Sequence, residues 1–143
     1  MVLIETDVVL ALASNRDKHH NEAVEIVKRI RPLKLSPYTL IELDLLILSG
    51  KLKVRVPMFH EGLNKTLSYY GIELIRPSPK HLEGGWELRE KYGLTYFDSL
   101  HASTAMIEKE VLVSYDRAYS NIEELKYTTP QEALKQYGSI AKS

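Results

Sequence analysis

Short apolar runs alternate with amphipathic stretches along the whole chain. Val2-Leu3-Ile4 is a continuous apolar triplet, the pattern of a strand buried on both faces of a parallel sheet. After Thr6 and Asp7 the apolar residues continue to Ala13 and predict a short helix. From His19 to Ile30, residues Ala23, Val24, Val27 and Ile30 recur at helical spacing with charges between them, and Pro32 ends that helix. Lys34-Leu35-Ser36 predicts a second strand. Pro37 suits the first turn of a helix that runs to Ser49 and stops at Gly50. A helix from Pro57 to Tyr70 closed by Gly71, a strand over Ile72 to Ile75, and a helix from Ser78-Pro79 to Tyr92 follow. Gly84-Gly85 is expected to interrupt the last of these, and Gly93 to close it. Thr95 to Glu108 predicts another helix, Val111 to Ser114 a strand, Tyr127 to Thr129 a weak strand and Pro130 to Tyr137 a final helix.

Strands alternating with helices indicate a three-layer α/β/α fold around a central parallel sheet of four to five strands. No repeat, low-complexity stretch or long linker divides the 143 residues, so residues 1–143 read as a single domain, its last few residues a disordered tail.

Composition narrows the chemistry. The chain is 44% hydrophobic and 27% charged, as soluble domains are, and contains no cysteine. That removes disulfide scaffolds, thiolate zinc sites and cysteine nucleophiles, and fits a reducing interior. A formal net charge of zero disfavours extensive non-specific duplex binding by phosphate neutralisation. A short single-stranded segment held with the help of bound cations remains compatible with it. No apolar run reaches the roughly 18 residues needed to cross a bilayer, and Met1-Val2-Leu3-Ile4-Glu5 lacks the basic start of a signal peptide. The expected address is the cytoplasm, with no membrane partner.

Ligands of open parallel sheets bind beyond the carboxyl ends of the strands, so the acids on that rim carry the functional reading. Glu5 and Asp7 follow the first strand, and Asp116 follows the strand ending at Ser114. Asp98, in the first turn of a helix that leads into a strand, and Glu42, early in a helix that leaves one, belong to the same rim. Glu108 and Glu110 fall at the opposite edge. Glu42 stands out because Leu40, Ile41, Leu43, Leu45, Leu46, Ile47 and Leu48 surround it, the pattern of a buried helix. Asp44 lies about 200° further round. A buried carboxylate needs a basic partner, a metal or a pocket. Each acid also has a structural reading: Asp7 and Asp116 as caps, Asp98 as the end of a Thr95-Tyr96-Phe97-Asp98 capping box, Glu42 in a pair with a lysine or arginine. Taken jointly, a carboxylate cluster without cysteines suits oxygen-ligated Mg²⁺ or Mn²⁺. The histidines show no ligand spacing. His101, three residues after Asp98, can reach the rim, although a packed or surface role suits it better.

These positions resemble the motifs of the PIN-domain nucleases over nearly the whole chain. Leu3-Ile4-Glu5-Thr6-Asp7-Val8-Val9-Leu10 is similar to the family's first motif, and Ser36-Pro37-Tyr38-Thr39-Leu40-Ile41-Glu42-Leu43 to its second. Leu94-Thr95-Tyr96-Phe97-Asp98-Ser99-Leu100-His101-Ala102 resembles the third, an aspartate opening a small-residue-rich helix. Val111-Leu112-Val113-Ser114-Tyr115-Asp116-Arg117-Ala118-Tyr119 resembles the fourth. The resemblance implies metal-dependent hydrolysis of single-stranded or structured RNA, with Glu5, Asp7, Glu42, Asp98 and Asp116 as catalytic metal ligands. It also implies a homodimer and, in VapC-like toxins, an antitoxin partner protein. One departure is visible. The family's leading acid is aspartate, and here it is Glu5, one methylene longer, so either Glu5 or Asp7 supplies the ligand from the first strand. Ser114 and Tyr119 replace threonine and phenylalanine.

Phosphodiester cleavage by such a site needs an attacking water, charge neutralisation and a stabilised leaving oxygen, which one or two divalent ions supply. The Ser114 hydroxyl suits the orientation of a carboxylate or water. Lys51, Lys53, Arg55 and Arg117 are candidate phosphate contacts, although solvated surface is the commoner role for such residues; Arg117 is the expected contact among them because it adjoins Asp116. The alternatives are an aspartyl-nucleophile phosphatase, whose Asp-x-Asp is missing at Glu5-Thr6-Asp7, and a weakly active or inactive PIN scaffold that binds RNA or protein.

Overall fold

Val2–Ile4 (β1) forms the centre of a five-stranded sheet, between Leu33–Leu35 (β2) and Val111–Val113 (β4), with Glu73–Leu74 (β3) and Tyr127–Thr128 (β5) at the edges. This computed structural model describes residues 1–138, so the expected tail lies outside the described residues. All the pairings are parallel, and their register aligns Ile4, Leu35 and Val113 at the carboxyl end, with Leu74 beside Leu35 and Thr128 beside Val113. One rim therefore collects the residues that follow each strand.

The apolar triplet of β1 is buried throughout because helices cover both faces. Val2 and Ile4 pack with Val8, Ile26, Leu43 and Ala133 on one side. Leu3 points the other way and packs with Leu88, Ala102, Ala105, Leu112 and Tyr119, as the two-residue period of a strand requires. The first layer holds Thr6–Ala13 (α1), His20–Arg29 (α2), Pro37–Leu48 (α3), Val56–Tyr70 (α4) and Pro130–Tyr137 (α7); the second holds Pro79–Tyr92 (α5) and Tyr96–Glu108 (α6). No described helix is long and apolar enough to cross a membrane.

The elements follow the expected sequence, with three corrections. First, α5 runs unbroken through Gly84 and Gly85. These glycines serve close packing: a Cβ on Gly84 would stand 2.2 Å from Ser103 Oγ, and one on Gly85 would stand 3.2 Å from Leu100 Cδ2, both on α6. Second, Ser36 is not in β2 but caps α3, its hydroxyl accepting from Tyr38 N. Third, α3 is not a buried helix. Only Pro37, Thr39 and Leu43 are buried, while Ile41, Leu45 and Leu48 are 56%, 45% and 81% exposed. A five-residue 3-10 turn, Arg117–Asn121, follows β4 where no element was expected.

Candidate metal centre

Glu5 leaves β1 on the side of α6, because strand alternation directs it to the face that Leu3 occupies. Its carboxylate is 6% exposed and accepts from Asp7 N at 3.3 Å, so Glu5 is itself the N-cap of α1. Asp7, whose alternative structural reading is a helix cap, does not cap α1. Its Oδ2 accepts from Ser114 Oγ at 2.7 Å and from Tyr115 N at 2.9 Å, while the buried Oδ1 has no partner. The carboxylate thus ties α1 to the end of β4.

Glu42 faces inward from α3. Its Oε1 accepts from Thr6 Oγ1 at 2.6 Å and lies 2.8 Å from His101 Nε2. The partner is neither lysine nor arginine but a fully buried histidine of α6. His101 Nε2 is also 3.2 Å from Thr6 Oγ1 and 3.9 Å from Glu5 Oε1. Donor atoms of Glu5, Glu42 and His101 lie within 4.8 Å of one another.

Asp98 stands one helical turn before His101 on the same face, and its Oδ1 accepts from the buried Tyr119 hydroxyl at 3.1 Å. Thr95 makes no side-chain capping bond, so the capping-box reading of Asp98 is replaced by this tertiary one. Asp116 is exposed and caps the 3-10 turn, accepting from Ala118 N at 2.9 Å. The structure therefore brings Glu5 and Glu42 together, sets Asp7 and Asp98 beside them, and leaves Asp116 on the outer side, next to Asp7. Arg117 is exposed beyond Asp116, and Lys51, Lys53 and Arg55 are exposed in the segment joining α3 to α4. Glu110, expected at the opposite edge, bonds Lys34 there at 2.8 Å.

The electrostatics follow from burial. Desolvation, then Asp7, Glu42 and Asp98, push the Glu5 carboxyl up to about 7 against the pull of His101. Burial also raises Asp7, opposed by its bonds from Ser114 and Tyr115. Burial acts upward on Glu42 as well, but donation from His101 and Thr6 outweighs it and holds the group low. Burial disfavours charge on His101, yet Glu42 and Glu5 raise its affinity for the proton. Ser114 Oγ has one proton and two acid neighbours, Asp7 at 2.7 Å and Glu5 at 3.3 Å. The shorter contact takes that proton, and the longer one is satisfied when Glu5 carries its own.

Two features fit a divalent cation: the carboxylates converge without a buried lysine or arginine, and Asp7 Oδ1 is an orphaned buried acceptor. The fit is to oxygen ligands. With Nε2 engaged by Glu42, His101 orients that carboxylate rather than offering a lone pair. Sequence reasoning passed over Thr6, which joins Thr39, Glu42 and His101, and undervalued His101 itself, whose position three residues after Asp98 was the available signal.

The sequence profile described as PIN domain matches residues 2–125. No curated protein sequence matches the chain. Among solved structures it is similar to VapBC2 from Rickettsia felis, bound to a promoter DNA fragment, at 25% identity and TM-score 0.68, over 90% of this chain and 98% of that one. It is also similar to a toxin–antitoxin complex from Klebsiella pneumoniae, at 19% identity and TM-score 0.66, over 91% and 98% of the two chains. A third similar structure is VapC20 from Mycobacterium tuberculosis, a Sarcin-Ricin loop cleaving toxin, at 13% identity and TM-score 0.63, over 88% and 99%.

The raised Glu5 makes a pH prediction for the metal-free protein. Folded Glu5 keeps its proton to about 7 while the unfolded chain releases it near 4.5. Its stabilising contribution is therefore complete below the lower value and lost as pH rises through the upper one, a change on the order of a few kcal/mol. Asp7 and His101, both raised, act in the same sense. In chelator the Tm is expected to fall between pH 5 and pH 8, and Glu5→Gln is expected to remove much of that fall. Thermal melts across this range check it; a metal-free wild type that gains stability toward pH 8 contradicts it.

Proposed function

The chain belongs to the PIN-domain family, and from that membership we propose that it is a metal-dependent endoribonuclease using Mg²⁺ or Mn²⁺. In this reading it acts in the cytoplasm on single-stranded or structured RNA, as the toxin of a toxin–antitoxin pair. The observation that carries the reading is the convergence of Glu5 and Glu42 at the carboxyl rim, with Asp7 and Asp98 beside them. RNA is an anion and the rim is acidic, so productive binding of the phosphate calls for a cation between them.

Glu42, Asp98 and Glu5 or Asp7 would hold a divalent ion, which would supply Lewis acidity and charge neutralisation at the cleaved phosphate. The chain's own residues set the stage. His101 and Thr6 both engage Glu42 Oε1, so Oε2 has no protein donor among the described residues and is left for other duty. Tyr119, whose hydroxyl is kept protonated by burial and by Glu5 and Asp98, fixes Asp98 by donating to one oxygen and leaves the other open. Ser114 holds Asp7 in place and takes a bond from Asp116 N, which couples the two acids nearest Arg117. Glu5, raised to about 7 by burial and its acid neighbours, would have to lose its proton to serve as a ligand. Asp116 acts from the margin, and Arg117 extends toward the phosphate of the substrate.

The toxin reading draws support from the structural neighbours and from a cleft of about 310 Å³ between α1 and α4, lined by Val9, Leu12, Met58, Phe59 and Leu63. An apolar helix face of an antitoxin fits such a groove. A second copy of the chain is proposed to cover α3 and α5. Ile41, Leu45 and Leu48 form one exposed stripe on α3, and Leu82 and Trp86 form another on α5. Tyr38 joins these helices through a 2.9 Å bond to His81, and exposed apolar surface of this kind marks interfaces.

Two outcomes test the reading. Asp98→Asn is expected to cut Mn²⁺-dependent cleavage of a single-stranded RNA pool by about 100-fold or more. Its circular dichroism spectrum should match the wild type, since asparagine can still accept from Tyr119. Wild-type cleavage that survives both chelator and Asp98→Asn contradicts the metal site, and absence of wild-type cleavage favours the inactive scaffold. For the dimer, light scattering at micromolar concentration should give twice the chain mass, and Leu45→Glu with Leu48→Glu should give the monomer. A monomeric wild type contradicts it.

A further inference from the structure

A second constellation lies next to the acids, and its side chains take no part in holding them. His19, the residue before α2, stacks on Tyr115 with ring centroids 3.9 Å apart and an interplanar angle of 16°. The pair walls a cleft of about 270 Å³ whose other linings include Glu22, Arg117 and Thr129. The cleft is contiguous with the metal centre through one residue: Tyr115 N donates to Asp7 at 2.9 Å, and Asp116 follows it in the chain. Its volume falls just below the about 300–1,000 Å³ of small-molecule sites, room for one planar ring system rather than a length of chain.

The linings are those of a base-recognition site. Stacked aromatic rings offer a flat apolar wall on which a nucleobase lies. Arg117 brings a cation to the phosphate side. Glu22 is a carboxylate, which only accepts hydrogen bonds when ionised, and it faces the Tyr115 hydroxyl closely enough to help hold that proton. An acceptor-only group discriminates among bases. Guanine presents adjacent N–H and amino donors on its Watson–Crick edge, which match two carboxylate oxygens. Uracil presents one N–H between two carbonyl oxygens, which a carboxylate repels.

Resting on the nuclease reading above, we propose that this cleft is a subsite for one unpaired base beside the cleaved phosphodiester, selective for guanine over uracil through Glu22. The base lies on the free outer face of the His19–Tyr115 stack, Glu22 reads its edge and Arg117 holds its phosphate.

The test has two arms. In the first, wild type, Glu22→Gln and His19→Ala cut a randomised single-stranded RNA pool with Mn²⁺, and the cut ends are sequenced. Wild type is expected to favour guanine over uracil by about fivefold or more at one position flanking the cut. Glu22→Gln should flatten the preference to within about twofold, and His19→Ala should raise KM about tenfold with kcat nearly unchanged, the loss of one base stack. A flat wild-type profile, or one that Glu22→Gln leaves intact, overturns the proposal. The second arm needs no cleavage: fluorescence anisotropy compares octauridylate with the same octamer carrying one central guanine. Tighter wild-type binding of the guanine octamer, abolished by Glu22→Gln, upholds the subsite even if no RNA is cut, in which case only the nuclease reading falls. Equal affinity, or binding of neither octamer as expected of a cleft that receives a protein segment, overturns the subsite.

Discussion

Everything at the rim depends on one electrostatic constraint: carboxylates at the start of α1 and on α3 and α6 are driven into a small, partly dry space around the buried His101, whose affinity for a proton Glu42 and Glu5 raise. Like charges at this range suppress one another's ionisation, and burial removes the water that would otherwise screen them. The fold answers locally. Glu42 receives two donors and stays ionised, Asp98 receives the Tyr119 hydroxyl, Asp7 receives Ser114 and Tyr115, and Glu5, whose two contacts are both long at 3.3 Å, is pushed up to about 7. In the proposed reading a divalent ion would complete that pattern by relieving the repulsion that the hydrogen bonds leave uncompensated.

The sheet makes this arrangement possible by register rather than by local sequence. Because Ile4 and Val113 are paired, Glu5 and Ser114 emerge side by side although they are far apart in the chain. Gly84 and Gly85 let α5 approach α6 closely, and Arg89 of α5 donates to Ser99 at 2.5 Å, next to Asp98. The longer side chain of Glu5 finds its place in this frame without disturbing the strand: it doubles back to cap α1 while remaining within reach of His101.

Much of this was legible in the chain. The apolar triplet at Val2–Ile4, the prolines at the first turns of α3, α5 and α7 and the glycines after α4 and α5 are local signals, and the elements follow them. The rim acids were legible for a topological reason, since each lies just after a strand or in the opening turns of a helix. What escaped was tertiary. Leu45 and Leu48 look like core residues from composition, and only the position of α3 on the outside of the layer exposes them. Thr6 and His101 lie inside motif stretches beside the acids that mark them, and their own importance arises from where α1, α3 and α6 meet. Asp7 reads as a cap until β4 delivers the Ser114 hydroxyl and the Tyr115 amide to it.

Anomalous scattering from a crystal soaked in Mn²⁺ shows directly whether these carboxylates form a cation site. A manganese peak is expected within coordination distance of carboxylate oxygens of Glu42, Asp98 and either Glu5 or Asp7, with His101 still bonded to Glu42. A crystal that takes up Mn²⁺ only at other acids, and leaves Glu5, Glu42 and Asp98 without a peak, contradicts such a site.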